Sequence, residues 1–474
     1  MNRDYEVAIF LYLCALKNSP SKNYPVKRHQ ITLFILSTFA TLGAMCHFIP
    51  ADGLPLNLKF PSIEEVMGEK EEEEELPEIS IEEILAMSER NAKIAAEKDS
   101  LLNFFNTSPT RFYTPNNDPG FFDSLFKELE NSDNKRVRIL HYGDSQLEED
   151  RMTFVIRDTL QRMFGGDGQG MMPARTHNTF SMAGSASGNI TRYMIFAPDR
   201  RCGGNKYGPF GDFVRLSGSV RLNYRQSSRT DVKRRYFNEV TVVAGNTSGN
   251  GLAVTLGDST IRFNSGEHLV RAVFNVPDNS DKVSIKVSGS GDLYGVLMDN
   301  KTGVAVDNIP MRGCSGTIFT SMNADQLRSF YDQENVRLIF LQYGGNSVPV
   351  INNTKQVSNY CNTIRKQINY IQGLAPKAKI VFIGPSDMYS RTRPMIPHLV
   401  DSLKSTANSC GAAYWDIFGA MGGKYSMSKW VSKGLAGSDY IHFTNKGSRL
   451  MASRLAESFK IYYEYYLWRK ENEE

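Results

Sequence analysis

Three short apolar runs constrain this chain most, because each stops at the same kind of turn. Residues 137–142 (VRILHY) end in Gly143-Asp144-Ser145, residues 336–343 (VRLIFLQY) in Gly344-Gly345-Asn346, and residues 378–383 (AKIVFI) in Gly384-Pro385-Ser386. Runs this short, apolar and β-branched fit strands buried on both faces. Helical periodicity fills the intervals, over 357–373 and 396–410. Strands alternating with helices predict an α/β fold with a parallel sheet covered on both faces. In such a sheet functional groups collect at the carboxyl ends of the strands, where Ser145 and Asn346 both fall.

The middle of the chain reads differently. From 197 to 307 there is no helical period, only strand-like pieces at 213–224, 238–244, 252–256, 268–276, 282–287 and 293–298. Asn-Gly, Gly-Asn and Ser-Gly pairs separate them, which predicts an all-β sandwich. The expectation is an inserted module at 197–307 that splits the α/β domain into 101–196 and 308–474.

Residues 31–49 carry no Asp, Glu, Lys or Arg, and Lys27 and Arg28 precede them. That length is close to the ~20 residues of a membrane-crossing helix. The basic flank predicts a short cytoplasmic tail (1–30) and an exported body. A buried core helix is the alternative. Ala44-Met45-Cys46 resembles a small-residue cleavage site, so the segment reads as an anchor or a signal, the uncleaved anchor being preferred. Residues 50–100 read as an acidic linker followed by a helix over 81–102. Residues 62–89 alone hold twelve Glu and one Lys, so the net charge of +4 conceals +15 on the rest of the chain. This surplus is too diffuse to imply nucleic acid. A hydrophobic content of 41% excludes wholesale disorder, and a mean hydropathy of −0.36 excludes a polytopic membrane protein. Six Cys are too few for a disulfide scaffold; the pairing of Cys202, Cys314, Cys361 and Cys410 stays open.

Taken singly, the candidate residues say little. Ser145 after a strand fits an ordinary turn as well as a nucleophile. Asn346 fits a cap as well as a hydrogen-bond donor to a developing oxyanion. In Asp439-Tyr-Ile-His442 the His can serve as a general base and the Asp can orient it. No cluster has metal-ligand spacing, and no cofactor is implied.

Taken together, Gly143-Asp144-Ser145, Arg312-Gly313-Cys314-Ser315-Gly316, Gly344-Gly345-Asn346 and Asp439-Tyr440-Ile441-His442 resemble, in order, the four blocks of the SGNH (GDSL-type) hydrolases. The resemblance spans roughly 135–196 and 308–460. It implies a three-layer, flavodoxin-like parallel sheet, with Ser145 as nucleophile, His442 as base and Asp439 as its orienting partner. The oxyanion hole would come from the backbone N–H groups of Ser145 and Gly313 and the Asn346 amide. The second block is the least distinctive, and Ser347 departs from the family's Gly-x-Asn-Asp.

An inserted β module beside an SGNH domain resembles the bacterial peptidoglycan O-acetylesterases. Residues 192–235 add eleven Lys or Arg against three Asp, a charge suited to an anionic envelope polymer or simply a solvated face. Tyr207, Phe210, Phe213, Tyr224, Tyr236 and Phe237 either stack on sugars or fill the sandwich core. The expected protein is an esterase acting on an acetylated envelope glycan. It would be held in the inner membrane through 31–49, with its catalytic body on the periplasmic or extracytoplasmic side. The alternatives are an envelope O-acetyltransferase with the same triad and a non-catalytic glycan-binding protein.

Overall fold

A computed structural model of the chain describes residues 28–48, 81–227, 236–390 and 393–473. The chain forms two compact units, Met1–Arg90 and Asn91–Glu474. In the first, α1 (Arg28–Phe48) is a 21-residue helix whose Ser37, Thr38 and Thr41 hydroxyls donate back to carbonyls three or four residues earlier. Among the described residues no helix is long and apolar enough to cross a membrane; the run at 31–49, expected to span one, falls in this helix as far as Phe48. The tail at 1–27, most of the acidic linker with its Glu71–Glu75 run, and 228–235 of the basic stretch lie outside the described residues. The next helix is α2 (Ile81–Thr107).

The second unit is built on a six-stranded sheet of β1 (Phe112–Tyr113), β2 (Val137–Gly143), β12 (Val304–Pro310), β13 (Val336–Gln342), β14 (Lys379–Ile383) and β15 (Ala413–Trp415). Their spatial order is β1-β15-β14-β13-β2-β12, all parallel except β1. Successive strand residues serve opposite cores. Leu140, Tyr142, Ile339, Leu341, Ile380 and Phe382 pack with α5 (Ala324–Gln333), α6 (Thr354–Leu374) and α7 (Ile396–Ser409). Val137, Ile139, Leu338, Phe340, Val381 and Ile383 pack with α3 (Asp123–Glu130), α4 (Thr153–Phe164) and α10 (Asn445–Asn472). The period of two thus makes three layers, as the apolar runs predict. Two short helices, α8 (Ile417–Ala420) and α9 (Ser426–Ser432), lead from β15 to α10. Chain order runs outward from β2 to β12 and then back past β2 to β13. This reversal places the topological switch point, where α/β sheets open a crevice, at the end of β2.

Between β2 and β12 the chain makes a nine-stranded sheet of β3 (Gly168–Met172), β4 (His177–Asn178), β5 (Met182–Met194), β6 (Asp212–Gln226), β7 (Phe237–Gly245), β8 (Leu252–Leu256), β9 (Ser259–Phe263), β10 (Val270–Ser280) and β11 (Lys282–Asp299). It starts upstream of 197 and ends before β12, so the expected boundaries move. The Gly- and Ser-rich β3 and β5 lack the alternation that marks a strand, while Val304–Pro310 pairs in parallel with β2. Nor does the sheet form a unit of its own. Along β11 burial alternates from Lys282 to Val287 and then becomes continuous from Gly291 to Asp299. In that second half Leu293 and Val296 face the sheet's own core, while Tyr294 and Leu297 join Phe213 and Val243 in the core of the parallel sheet. Tyr207, Phe210, Phe213, Tyr224 and Phe237 are buried, which leaves only Tyr236 of the six aromatics exposed.

Charge fixes the junction. Arg138 of β2, fully buried, donates to Asp299 (2.6 Å), Asp307 (2.8 Å) and Glu334 (3.0 Å), and Glu334 also meets Arg271 and Arg136. Removing one partner of a buried ionic cluster strands the others without compensation. Arg138→Leu is therefore expected to cost about 3–5 kcal/mol in denaturant unfolding. His141, also in β2, is buried between Gln342 (3.0 Å) and Thr153 (3.0 Å). Burial, outweighing the Gln342 hydrogen bond, lowers its pKa to about 3. As pH falls from about 6.5, the unfolded chain gains a proton that the folded chain refuses. Stability should then drop by up to about 1.4 kcal/mol per pH unit, and His141→Gln should flatten that slope in urea titrations taken between about pH 7 and 4.

Candidate active site

The site follows from register. Gly143 at the end of β2 lies beside Pro310 of β12 and Gln342 of β13. Each strand then runs on by a few residues, which brings Ser145, Gly313 and Asn346 to one edge. Backbone bonds extend the pairing past the strands: Met311 N–H donates to Gly143 (2.7 Å) and Asp144 N–H to Gln342 (3.3 Å). Ser145 opens a 3-10 turn, Ser145–Asp150, capped by the Asp144 carboxylate, which accepts from Gln146 N–H at 3.0 Å.

The fourth piece comes from the loop before α10. Gly437 N–H donates to the His442 carbonyl (2.8 Å), closing a turn, and the Thr444 hydroxyl caps the helix on Gly447 N–H. This turn directs His442 Nε2 at Ser145 Oγ, 2.8 Å away, and His442 Nδ1 at Asp439 Oδ2, 2.6 Å away. Asp439 Oδ1 accepts from the N–H groups of Ile441 (3.0 Å) and His442 (3.1 Å). Although partial burial works the other way, these bonds hold the Asp439 carboxyl below its usual range. The structure thus joins Ser145, His442 and Asp439 in one hydrogen-bonded line, an arrangement able to move the Ser145 proton to an imidazole oriented from behind.

Further donors lie on the same sheet edge as Ser145. Among the described residues, the backbone N–H groups of Ser145 and Gly313 donate to no protein acceptor. Asn346 Nδ2 donates to the Cys314 carbonyl (3.1 Å) and, at 3.3 Å, to Asp144. The second contact lies at the long end for a hydrogen bond and is the weaker of the two. Asp144 beneath it is buried, and desolvation raises its pKa to about 6, against the pull of Gln146 N–H and His442. The line opens on a cavity of about 190 Å³ walled by Asn346, Pro349, Pro385, Met388, Ile417 and Phe443. Cys202, Cys314, Cys361 and Cys410 are all free. Cys314 is buried with its thiol pushed up to about 12, which suits packing and not attack. Among the described residues no group of His, Cys, Asp and Glu is placed to hold a metal ion.

Sequence reasoning missed Gln146. Its side chain reaches both neighbours of His442, donating to the Ile441 carbonyl (2.9 Å) and accepting from Phe443 N–H (3.2 Å). A buried amide one residue after Ser145 therefore ties the serine turn to the backbone that carries the imidazole. Its polar type at the first turn position was the only available signal. The wall from the turn after β14 was also missed, although Gly384-Pro385-Ser386 was legible as a strand end. Because small displacements at a reacting centre are costly, Gln146→Ala should lower kcat about tenfold or more with little change in KM, read from steady-state ester turnover.

Residues 256–450 match the model of the GDSL-like Lipase/Acylhydrolase family, a stretch holding Gly313, Asn346, Asp439 and His442 but not Ser145. No curated protein is similar enough in sequence to count as a match. Among solved structures, a peptidoglycan O-acetylesterase shares the fold with a TM-score of 0.61 at 20% identity, over 74% of this chain and 97% of that one. A family two carbohydrate esterase from Cellvibrio japonicus aligns at 11% identity over 61% of this chain and 99% of its own, with a TM-score of 0.26. The family match over these residues, the shared fold and the way Ser145 is brought to the matched residues identify the chain as a carboxylic ester hydrolase that resembles the SGNH (GDSL) type.

Proposed function

We propose that this hydrolase removes O-acetyl groups from a cell-envelope polysaccharide, peptidoglycan in the first instance, through an acyl-Ser145 intermediate. One observation carries the reading: the line from Asp439 through His442 to Ser145 ends at a small cavity, on the sheet edge whose Ser145 and Gly313 N–H groups have no protein acceptor among the described residues. His442 Nε2 takes the hydroxyl proton as Ser145 Oγ adds to the ester carbonyl. The N–H groups of Ser145 and Gly313 and the Asn346 amide receive the developing oxyanion, where each donor counts for several kcal/mol. His442 then returns the proton to the departing sugar oxygen. In the second half a water gives its proton to His442 and attacks the acyl carbon, releasing acetate and restoring Ser145.

The cavity of about 190 Å³ supports a short acyl group, because pockets for larger ligands run to about 300–1,000 Å³. The side chains of His442 and Asp439 are 38% and 47% exposed, which leaves the base open to water. That openness favours hydrolysis over transfer to a sugar acceptor, which needs water excluded. The complete triad favours either enzyme over a glycan-binding protein without activity. The likeness in fold to a peptidoglycan O-acetylesterase supports the choice of polymer. An extracytoplasmic location, with attachment to the inner membrane through 31–49, rests on the uncharged run and the Lys27-Arg28 flank alone.

Ser145→Ala should abolish acetate release from acetylated peptidoglycan and from an aryl acetate while leaving the melting temperature near wild type. More than about a tenth of the wild-type rate would remove Ser145 from this role. An acetylated sugar appearing when a sugar acceptor is supplied would make the enzyme a transferase.

A further inference from the structure

Two of the loops that wall the cavity carry tyrosines outward. Met388 and Ile441 line it, and the residues next to them, Tyr389 and Tyr440, turn to solvent, 71% and 37% exposed. Tyr389 N–H donates to the Tyr440 carbonyl (3.1 Å), which ties the loops at the mouth. The two rings stand 6.2 Å apart at 58°.

The ring of Tyr440 is carried on a strained backbone. Its backbone is left-handed (φ 56°), as the turn joining Asp439 to His442 requires, and Gly or Asn would take that conformation with less strain. Tyr425, also left-handed and exposed, is linked to the Tyr389 loop through Arg393, which lies over its ring (4.6 Å) and pairs with the buried Asp387 (2.5 and 3.1 Å). That guanidinium is therefore neutralised from below.

We infer that Tyr389 and Tyr440 form the platform on which the acyl-bearing sugar ring rests, an inference that builds on the esterase reading. A cavity of about 190 Å³ takes the acyl group and leaves the alcohol half of the ester at the mouth. A pyranose presents an apolar C–H face and a hydroxyl edge. Two tilted tyrosines offer flat apolar area and hydroxyl partners at low cost in side-chain entropy.

The test compares wild type, Tyr389→Ala and Tyr389→Phe on an O-acetylated N-acetylglucosamine oligomer and on p-nitrophenyl acetate, which has no sugar. Tyr389→Ala should lose about tenfold more kcat/KM on the oligomer than on the aryl ester, the difference lying in KM, and Tyr389→Phe should restore most of it. Equal losses on both substrates, or none on the oligomer, would overturn the platform while leaving the esterase reading in place. A wild-type enzyme that cleaves the aryl ester and ignores both the oligomer and acetylated peptidoglycan would overturn the glycan reading itself, and the platform with it.

Discussion

The pairing of β2 between β12 and β13 is the constraint on which the site depends. Gly313, Ser145 and Asn346 are each carried only a few residues beyond strand ends that lie side by side, so their separation is set by hydrogen-bond register. A slip of one residue would reverse every side chain of β2 between the two cores and pull the donors away from Ser145. The opposite end of the strand guards against that slip. Arg138 is held by Asp307 on β12 and by Glu334 just before β13, so one guanidinium locks both neighbours. Its rigid fork of donors has no equivalent set of acceptors in a shifted register.

The nine-stranded sheet takes part in the same lock. Asp299, the last residue of β11, completes the Arg138 cluster, and Met171 N–H of β3 donates to Asp307 (3.0 Å). The long segment between β2 and β12 thus returns the chain to the parallel sheet beside the point where it left. Its inner face covers Tyr142 and Leu341 through Tyr294 and Leu297. The second sheet is accordingly a wall of the catalytic body. Cutting it away would expose apolar surface and break a buried ionic cluster, so its contribution to substrate choice cannot be read from a deletion. Single substitutions on the Tyr389 loop avoid that difficulty.

Much of this was legible in the sequence, and the failures have physical causes. The apolar runs at 137–142, 336–343 and 378–383 became β2, β13 and β14 because a strand buried on both faces leaves an unbroken signal. β15, three residues long, leaves almost none, and α4 was hidden because its buried face includes Arg157 and Gln161. β3 and β5 escaped because Gly and Ser carry no alternation, and β12 was placed on the wrong side of a boundary because parallel pairing is not a local property. At the site, the types and order of Ser145, Asn346, Asp439 and His442 were readable. Gln146 was not, because its role exists only once the loop before α10 comes back to β2.

Opposite electrostatic surroundings on the two sides of His442 complete the arrangement. Asp439 is half exposed and kept ionised by the imidazole and two backbone N–H groups. Asp144 is buried, and its charge is disfavoured by desolvation and relieved by His442. When His442 takes the serine proton, both carboxylates gain a positive neighbour, one through a hydrogen bond and one through a less screened path. An exposed imidazole could swing away from that position and lose both. The Gln146 amide holds the backbone on either side of His442, and Asp439 holds the ring through Nδ1. The base can therefore stay open to the water that hydrolysis needs while remaining fixed toward Ser145. That division assigns solvent access to the side chains and rigidity to the backbone behind them.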